Sequence, residues 1–301
     1  MRKIRSYNEV QHDTGSELLE QVVALHDRLA ERLSSVGTVV AVASGKGGVG
    51  KSAVTANLAA ALAMRGHRVG AVDADLNGPS LGRMLGVSGM SLGDGPDGVE
   101  PPQGVQGVRV MSMELLQEAE DTPLGWRAPD FGKFTWRSTL ETGVLREFLA
   151  DVVWGELDFL LIDVPPGTDK IERLLELIPD LDQALLVTTP SEATRFVVSK
   201  SLRLVQEAGV GVVGLVANMT EHECPQCGHR SSLFESGGAE RLAAESGVPL
   251  WASIPFDPRL GASTDLGEPW VTKEPDAASS RAILALADRV EAAANVGADA
   301  E

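Results

Sequence analysis

Residues Gly45-Lys46-Gly47-Gly48-Val49-Gly50-Lys51-Ser52 fit the spacing G-x-x-x-x-G-K-[ST], with Ala53 next in line. Glycines at these positions let the backbone curl until several N–H groups face one phosphate chain, and a helix starting there adds the positive end of its dipole. Lys51 is then expected to reach the β and γ phosphates of ATP, and the Ser52 hydroxyl to ligate magnesium. Lys46 sets a second cation directly after the first glycine. Three carboxylates follow apolar runs: Asp73 and Asp75 after Arg68 to Val72, and Asp163 after Phe159-Leu160-Leu161-Ile162. Carboxylates at the ends of strands in a parallel sheet lie on its ligand-binding edge.

A second chemical feature is the only pair of cysteines, Cys224 and Cys227, in Cys-Pro-Gln-Cys-Gly. Two thiolates meet half the need of an iron–sulfur cluster or a structural zinc, which take about four ligands. His222 and His229 flank the pair, but their spacing is tight for a Cys₂His₂ site in one chain. A twofold axis near the motif gives four thiolates more simply. Half a zinc ribbon is the chemical rival. A redox pair fits less well, because the motif does not open a thioredoxin-like helix.

The elements that must position these groups are legible from periodicity. Thr38 to Ala43 is an apolar, β-branched run leading into the glycine loop, and Ser52 to Arg65 reads as a helix. Further buried strands are expected at Arg68 to Val72, Phe159 to Ile162, Gln183 to Thr188 and Val212 to Val216. Continuous apolar strands alternating with helices predict an α/β fold, a doubly wound and mostly parallel sheet with helices on both faces. Ahead of it, Thr14 and Glu17 have capping-box spacing, and Leu18, Val22, Leu25, Leu29 and Leu33 make one stripe: a helix packed on the main domain, or a surface for a partner. Residues 88 to 108 are too rich in Gly and Pro to read as regular. Ile283, Leu286, Val290 and Ala294 mark a closing helix over 277 to 294. The expected organisation is an N-terminal arm over 1–37, one ATPase domain over 38–296 and a short tail over 297–301.

Composition narrows the function. The chain has 301 residues, 43% of them apolar, which is enough for a large core. Its 26 Lys and Arg against 43 Asp and Glu give a net charge of −17. That balance disfavours partners recognised through phosphate backbones or anionic lipid, so neither nucleic acid nor membrane is expected. Two cysteines make no disulfide scaffold, and no stretch has the length of a membrane span or a signal core. A cytoplasmic protein is expected.

Read together, the ordered motifs Ala43 to Ser52, Asp73-Ala-Asp-Leu-Asn-Gly-Pro-Ser80, Asp163-Val-Pro-Pro-Gly-Thr168, Ala217-Asn-Met219, Cys224 to Gly228 and Ile254-Pro-Phe-Asp-Pro-Arg259 resemble the Mrp-type iron–sulfur cluster carrier ATPases. These belong to the P-loop class with the extra lysine that includes MinD, ParA and the nitrogenase iron protein. The resemblance implies that Lys46 crosses a homodimer interface to the partner's nucleotide, that Asp75 orients or deprotonates the attacking water and that Asp163 holds magnesium through its water shell. It further implies that Asn218 contacts the adenine and that Cys224 and Cys227 bind a 4Fe-4S cluster received from a donor and passed to apo iron–sulfur proteins. Ala53, where the family usually has threonine, Thr168-Asp-Lys170, and the lengthened Trp126 to Arg137 stretch depart from the pattern. The alternative is a MinD- or ParA-like positioning or regulatory ATPase, or a targeting ATPase, with structural zinc at the cysteines.

Overall fold

The computed structural model describes residues 18–117, 133–224, 226–234 and 237–298. Ten strands and ten α-helices are defined among them. In chain order these are α1 (Leu18–Leu33), β1 (Val36–Ser44), α2 (Lys51–Met64), β2 (Val69–Asp73), α3 (Leu81–Met84), β3 (Gly93–Gly95), β4 (Gly98–Glu100), β5 (Arg109–Met111), α4 (Lys133–Ala150) and β6 (Leu157–Asp163). They continue as α5 (Thr168–Leu177), β7 (Gln183–Thr188), α6 (Glu192–Glu207), β8 (Val212–Glu223), β9 (Arg230–Ser232), α7 (Gly238–Ser246), β10 (Leu250–Phe256), α8 (Pro258–Asp265), α9 (Trp270–Lys273) and α10 (Ala278–Ala298).

The main sheet runs β10-β8-β7-β1-β6-β2-β5, with every neighbouring pair on that path parallel, and β9 adds to β8 antiparallel. Both faces are covered, which is why the strands read as unbroken apolar runs. Along β1, Val39, Ala41 and Ala43 join a core that includes Phe148 of α4, Ile171 of α5 and Val198 of α6. The alternate residues Val40 and Val42 join a second core with Leu58 and Leu62 of α2 and Ile283, Leu286 and Val290 of α10. The expected doubly wound α/β fold is the observed one.

The differences are local and have physical causes. Residues 88–108 contain the antiparallel pair β3–β4, whose register Gly93↔Glu100 needs glycines because a Cβ at Gly93 would meet the Glu100 side chain at 2.9 Å. The strand expected at Val212 to Val216 continues to Glu223 through polar residues that leave the core. Strands β5 and β10 and helix α4 lack a continuous apolar run or a clear stripe. Helix α10 extends to Ala298, into the expected tail. In α1, Leu29 is buried and Arg28 pairs with Asp151 at 2.8 Å, so the helix docks beside the end of α4. Its neighbours Val23 and Leu25 stay exposed. Thr14, Glu17 and Trp126 lie outside the described residues.

Candidate nucleotide site and cysteine hairpin

All the carboxylates singled out by sequence converge at the carboxyl edge of the sheet. Asp73 and Asp163 are register partners at the ends of β2 and β6, and Asp163 also neighbours Val42 of β1. Between β1 and α2 the loop turns on Gly48 and Gly50, which have φ of 77° and 79°. Those are left-handed values that suit glycine. Gly45 is needed for space, since a Cβ there would meet Val197 Cγ1 of α6 at 2.9 Å. Among the described residues no side chain caps the start of α2, which leaves its first N–H groups facing the loop.

Lys51, Ser52 and Asp163 form one cluster. The Lys51 ammonium lies 2.6 Å from Asp163 Oδ1, and the Ser52 hydroxyl donates to Asp163 Oδ2 at 2.6 Å. Asp163 is fully buried. Sequence reasoning missed a third donor, Thr55, whose Oγ1 lies 2.8 Å from Asp163 Oδ1. Its position, four residues after Lys51 on the same side of α2, was the available signal. Carboxylate and hydroxyl oxygens are hard donors, which suits magnesium.

Asp73 is equally buried and accepts the N–H groups of Asp75, Ser80 and Leu81. Burial, with the adjacent Asp163 charge, pushes its carboxyl up to about 7. It thereby braces the turn carrying Asp75. Asp75 is half-buried and lines the cavity formed by the loop, Ser80 and Pro166. It also lines the neighbouring cavity under α4, where Glu141 accepts Asn77 Nδ2 at 2.9 Å and Lys170 Nζ at 2.7 Å. Glu141 thus joins the segments after β2 and β6, with Lys170, at a departure from the expected motif, supplying one of its two bonds. Gly47 and Ala53 line the loop cavity, and Lys46 projects to solvent, its carbonyl accepting the Ser44 hydroxyl.

Asn218 on β8 reaches the loop directly. Its Nδ2 donates to Val49 O at 2.9 Å, and a Cβ at Gly50 would lie 2.3 Å from that nitrogen. The next residue, Met219, has φ 58°. There the register with β10 slips, from Ile254↔Asn218 to Phe256↔His222.

Six residues beyond Asn218, the β8–β9 hairpin carries the cysteines. Cys224 is half-buried and Cys227 exposed, and both are free thiols. Cys224 N donates to His229 O and Gly228 N to Cys224 O, closing the turn. Backbone N–H groups of Gln226 and Cys227 hold the Cys224 thiol below its ordinary range. His222 turns its ring towards Phe256, with a centroid distance of 6.0 Å, and its Nδ1 is buried without a hydrogen-bond partner among the described residues. Among the described residues no three His, Cys, Asp or Glu side chains group as a metal site. A four-ligand centre at these thiols therefore draws its remaining ligands from outside this set. Thiolates are soft donors and suit iron–sulfur clusters or zinc.

A family model described as NUBPL iron-transfer P-loop NTPase matches residues 35–291. An iron–sulfur cluster carrier protein of Saccharolobus solfataricus is 38% identical over 272 residues, spanning 90% of this chain and 88% of that relative. The structure of a nucleotide-binding protein in complex with ADP from Archaeoglobus fulgidus is similar at TM-score 0.69 and 38% identity, covering 80% of this chain and 91% of the other. The cell division ATPase MinD of Pyrococcus furiosus is similar at TM-score 0.60 and 28% identity, covering 85% and 98%.

Proposed function

This chain belongs to the NUBPL iron-transfer P-loop NTPase family, and from that premise we propose that it is an ATP-hydrolysing carrier of iron–sulfur clusters. The reading is of a cytoplasmic homodimer that holds a 4Fe-4S cluster between the Cys224 and Cys227 pairs of its two subunits. The cluster comes from a donor and leaves to apo iron–sulfur proteins. The observation that carries this is the cysteine hairpin: two solvent-accessible thiols, no third ligand beside them among the described residues, and the same strand seated on the nucleotide loop.

In this reading the loop from Gly45 to Ala53 binds ATP, with Asn218 beside the adenine. Ser52, and Asp163 through the water shell, would hold magnesium, which would supply charge neutralisation at the phosphates. Lys51 reaches the β and γ phosphates, and Asp75 orients the attacking water. Lys46 is exposed, as a residue acting across an interface must be. A cation delivered by a second subunit stabilises the transferring phosphoryl group only when two chains close, so hydrolysis reports dimer geometry.

Anaerobic reconstitution with iron and sulfide tests the proposal. The expected product is a brown dimer with about two irons per chain. Cys224→Ala and Cys227→Ala each lose the colour while ATP still binds. A colourless protein that retains tightly bound zinc would overturn the carrier reading in favour of a structural zinc.

A further inference from the structure

Thr55 is completely buried on the inner side of α2. Its Oγ1 lies 2.8 Å from Asp163 Oδ1 and 3.0 Å from the carbonyl oxygen of Lys51. One hydroxyl carries one proton, so it donates to one of them at a time. Bonding to the carbonyl four residues back is ordinary for a helical threonine, but a buried carboxylate is not an ordinary second acceptor. Asp163 Oδ1 receives two donors here, Thr55 and the Lys51 ammonium, whereas Oδ2 receives Ser52.

Lys51 must leave Oδ1 to engage phosphate. A buried carboxylate oxygen stripped of its donor is costly unless another donor is already in place. We infer that Thr55 is a positioning residue that keeps Asp163 hydrogen-bonded while Lys51 transfers to the nucleotide. The proton stays on Thr55 throughout and no covalent bond changes. Only the choice of acceptor shifts, from sharing between the Lys51 carbonyl and Oδ1 to Oδ1 alone. Without the hydroxyl, the empty site keeps its Lys51–Asp163 pair, but the filled site leaves Oδ1 bare. Nucleotide affinity therefore falls even where the fold survives. The inference rests on the nucleotide-site reading above and deepens it.

The test is ADP binding by titration calorimetry on the full chain in the presence of a chelator, so the readout needs neither hydrolysis nor a metal. Thr55→Val preserves shape and removes the hydroxyl, and it should weaken ADP binding by about tenfold or more. Thr55→Ser restores the donor and should return the affinity to within about threefold of the parent. The rise in melting temperature on adding ADP should shrink in Thr55→Val and recover in Thr55→Ser, because each variant is compared with its own empty state. A merely structural role lowers the starting melting temperature and leaves that rise unchanged. Equal ADP affinity in Thr55→Val and the parent, or a Ser variant as weak as the Val variant, overturns the inference. If Thr55→Val does not fold, Thr55→Ala gives the same comparison. A parent chain that binds no ADP overturns the nucleotide reading itself, which separates the two failures.

Discussion

Gly50 answers two requirements at once: a left-handed backbone and room for the Asn218 carboxamide. Gly50→Ala meets neither, and displacing Asn218 also removes its bond to Val49 O. Denaturant titration should show a loss of about 1–2 kcal/mol, with ADP affinity falling about tenfold or more. Such a residue is legible in sequence because the phosphate loop is local, and eight adjacent positions specify its path. Lys46, Lys51, Ser52 and Asp163 were equally legible, since motif and strand end coincide. Thr55 was not. A threonine inside a helix is common, and its importance comes from burial beside Asp163, a contact between segments far apart in the chain. Asp73 was marked by its strand end, but not its burial against Asp163 or its bonds to Ser80 and Leu81. Glu141 was hidden for the same reason, since only the folded chain sets it against Asn77 and Lys170.

Among the elements, β2 and β6 are locked at their starts as well as their ends. Asp158 accepts Arg68 N at 2.7 Å and Arg68 Nη2 at 2.8 Å, and hydrogen bonding to Arg68 holds its carboxyl below the ordinary carboxylate range. With the folded-state pKa below the unfolded one, the unfolded chain binds more protons at acid pH. The stabilisation is therefore present above about pH 4 and is lost as the pH falls through the folded value. Asp158→Asn should cost about 1 kcal/mol at pH 7 and less at pH 3, which urea midpoints at the two pH values will read. An unchanged difference at both values would show the ion pair to be idle. At this scale the sequence was clearest where strands are buried on both faces, as in β1, β6 and β7. It failed where β8 leaves the core through Thr220-Glu221-His222-Glu223, because polar residues paired with a hairpin partner carry no apolar signal.

For the whole molecule, the proposal that Lys46 acts across an interface requires two defective chains to be complementary. Lys46→Ala keeps Lys51, and Lys51→Ala keeps Lys46, so a mixed dimer contains one complete site. Each variant alone should hydrolyse little ATP, and a 1:1 mixture should recover about a quarter of the parent rate. No recovery would mean that Lys46 serves its own chain. In the dimer proposed above, the slipped register at Met219 has a further consequence. Cys224 stands six residues beyond Asn218, about 20 Å along an extended chain. A pivot of about 5° at Met219 sweeps the sulfur by about 2 Å, and a twofold axis doubles the change in the gap between opposing thiols to about 4 Å. That exceeds a metal–thiolate bond of about 2.3 Å. In that proposed dimer, two such hairpins would act as jaws whose base rests against the phosphate loop, so that a small tilt at the nucleotide would decide between grip and release.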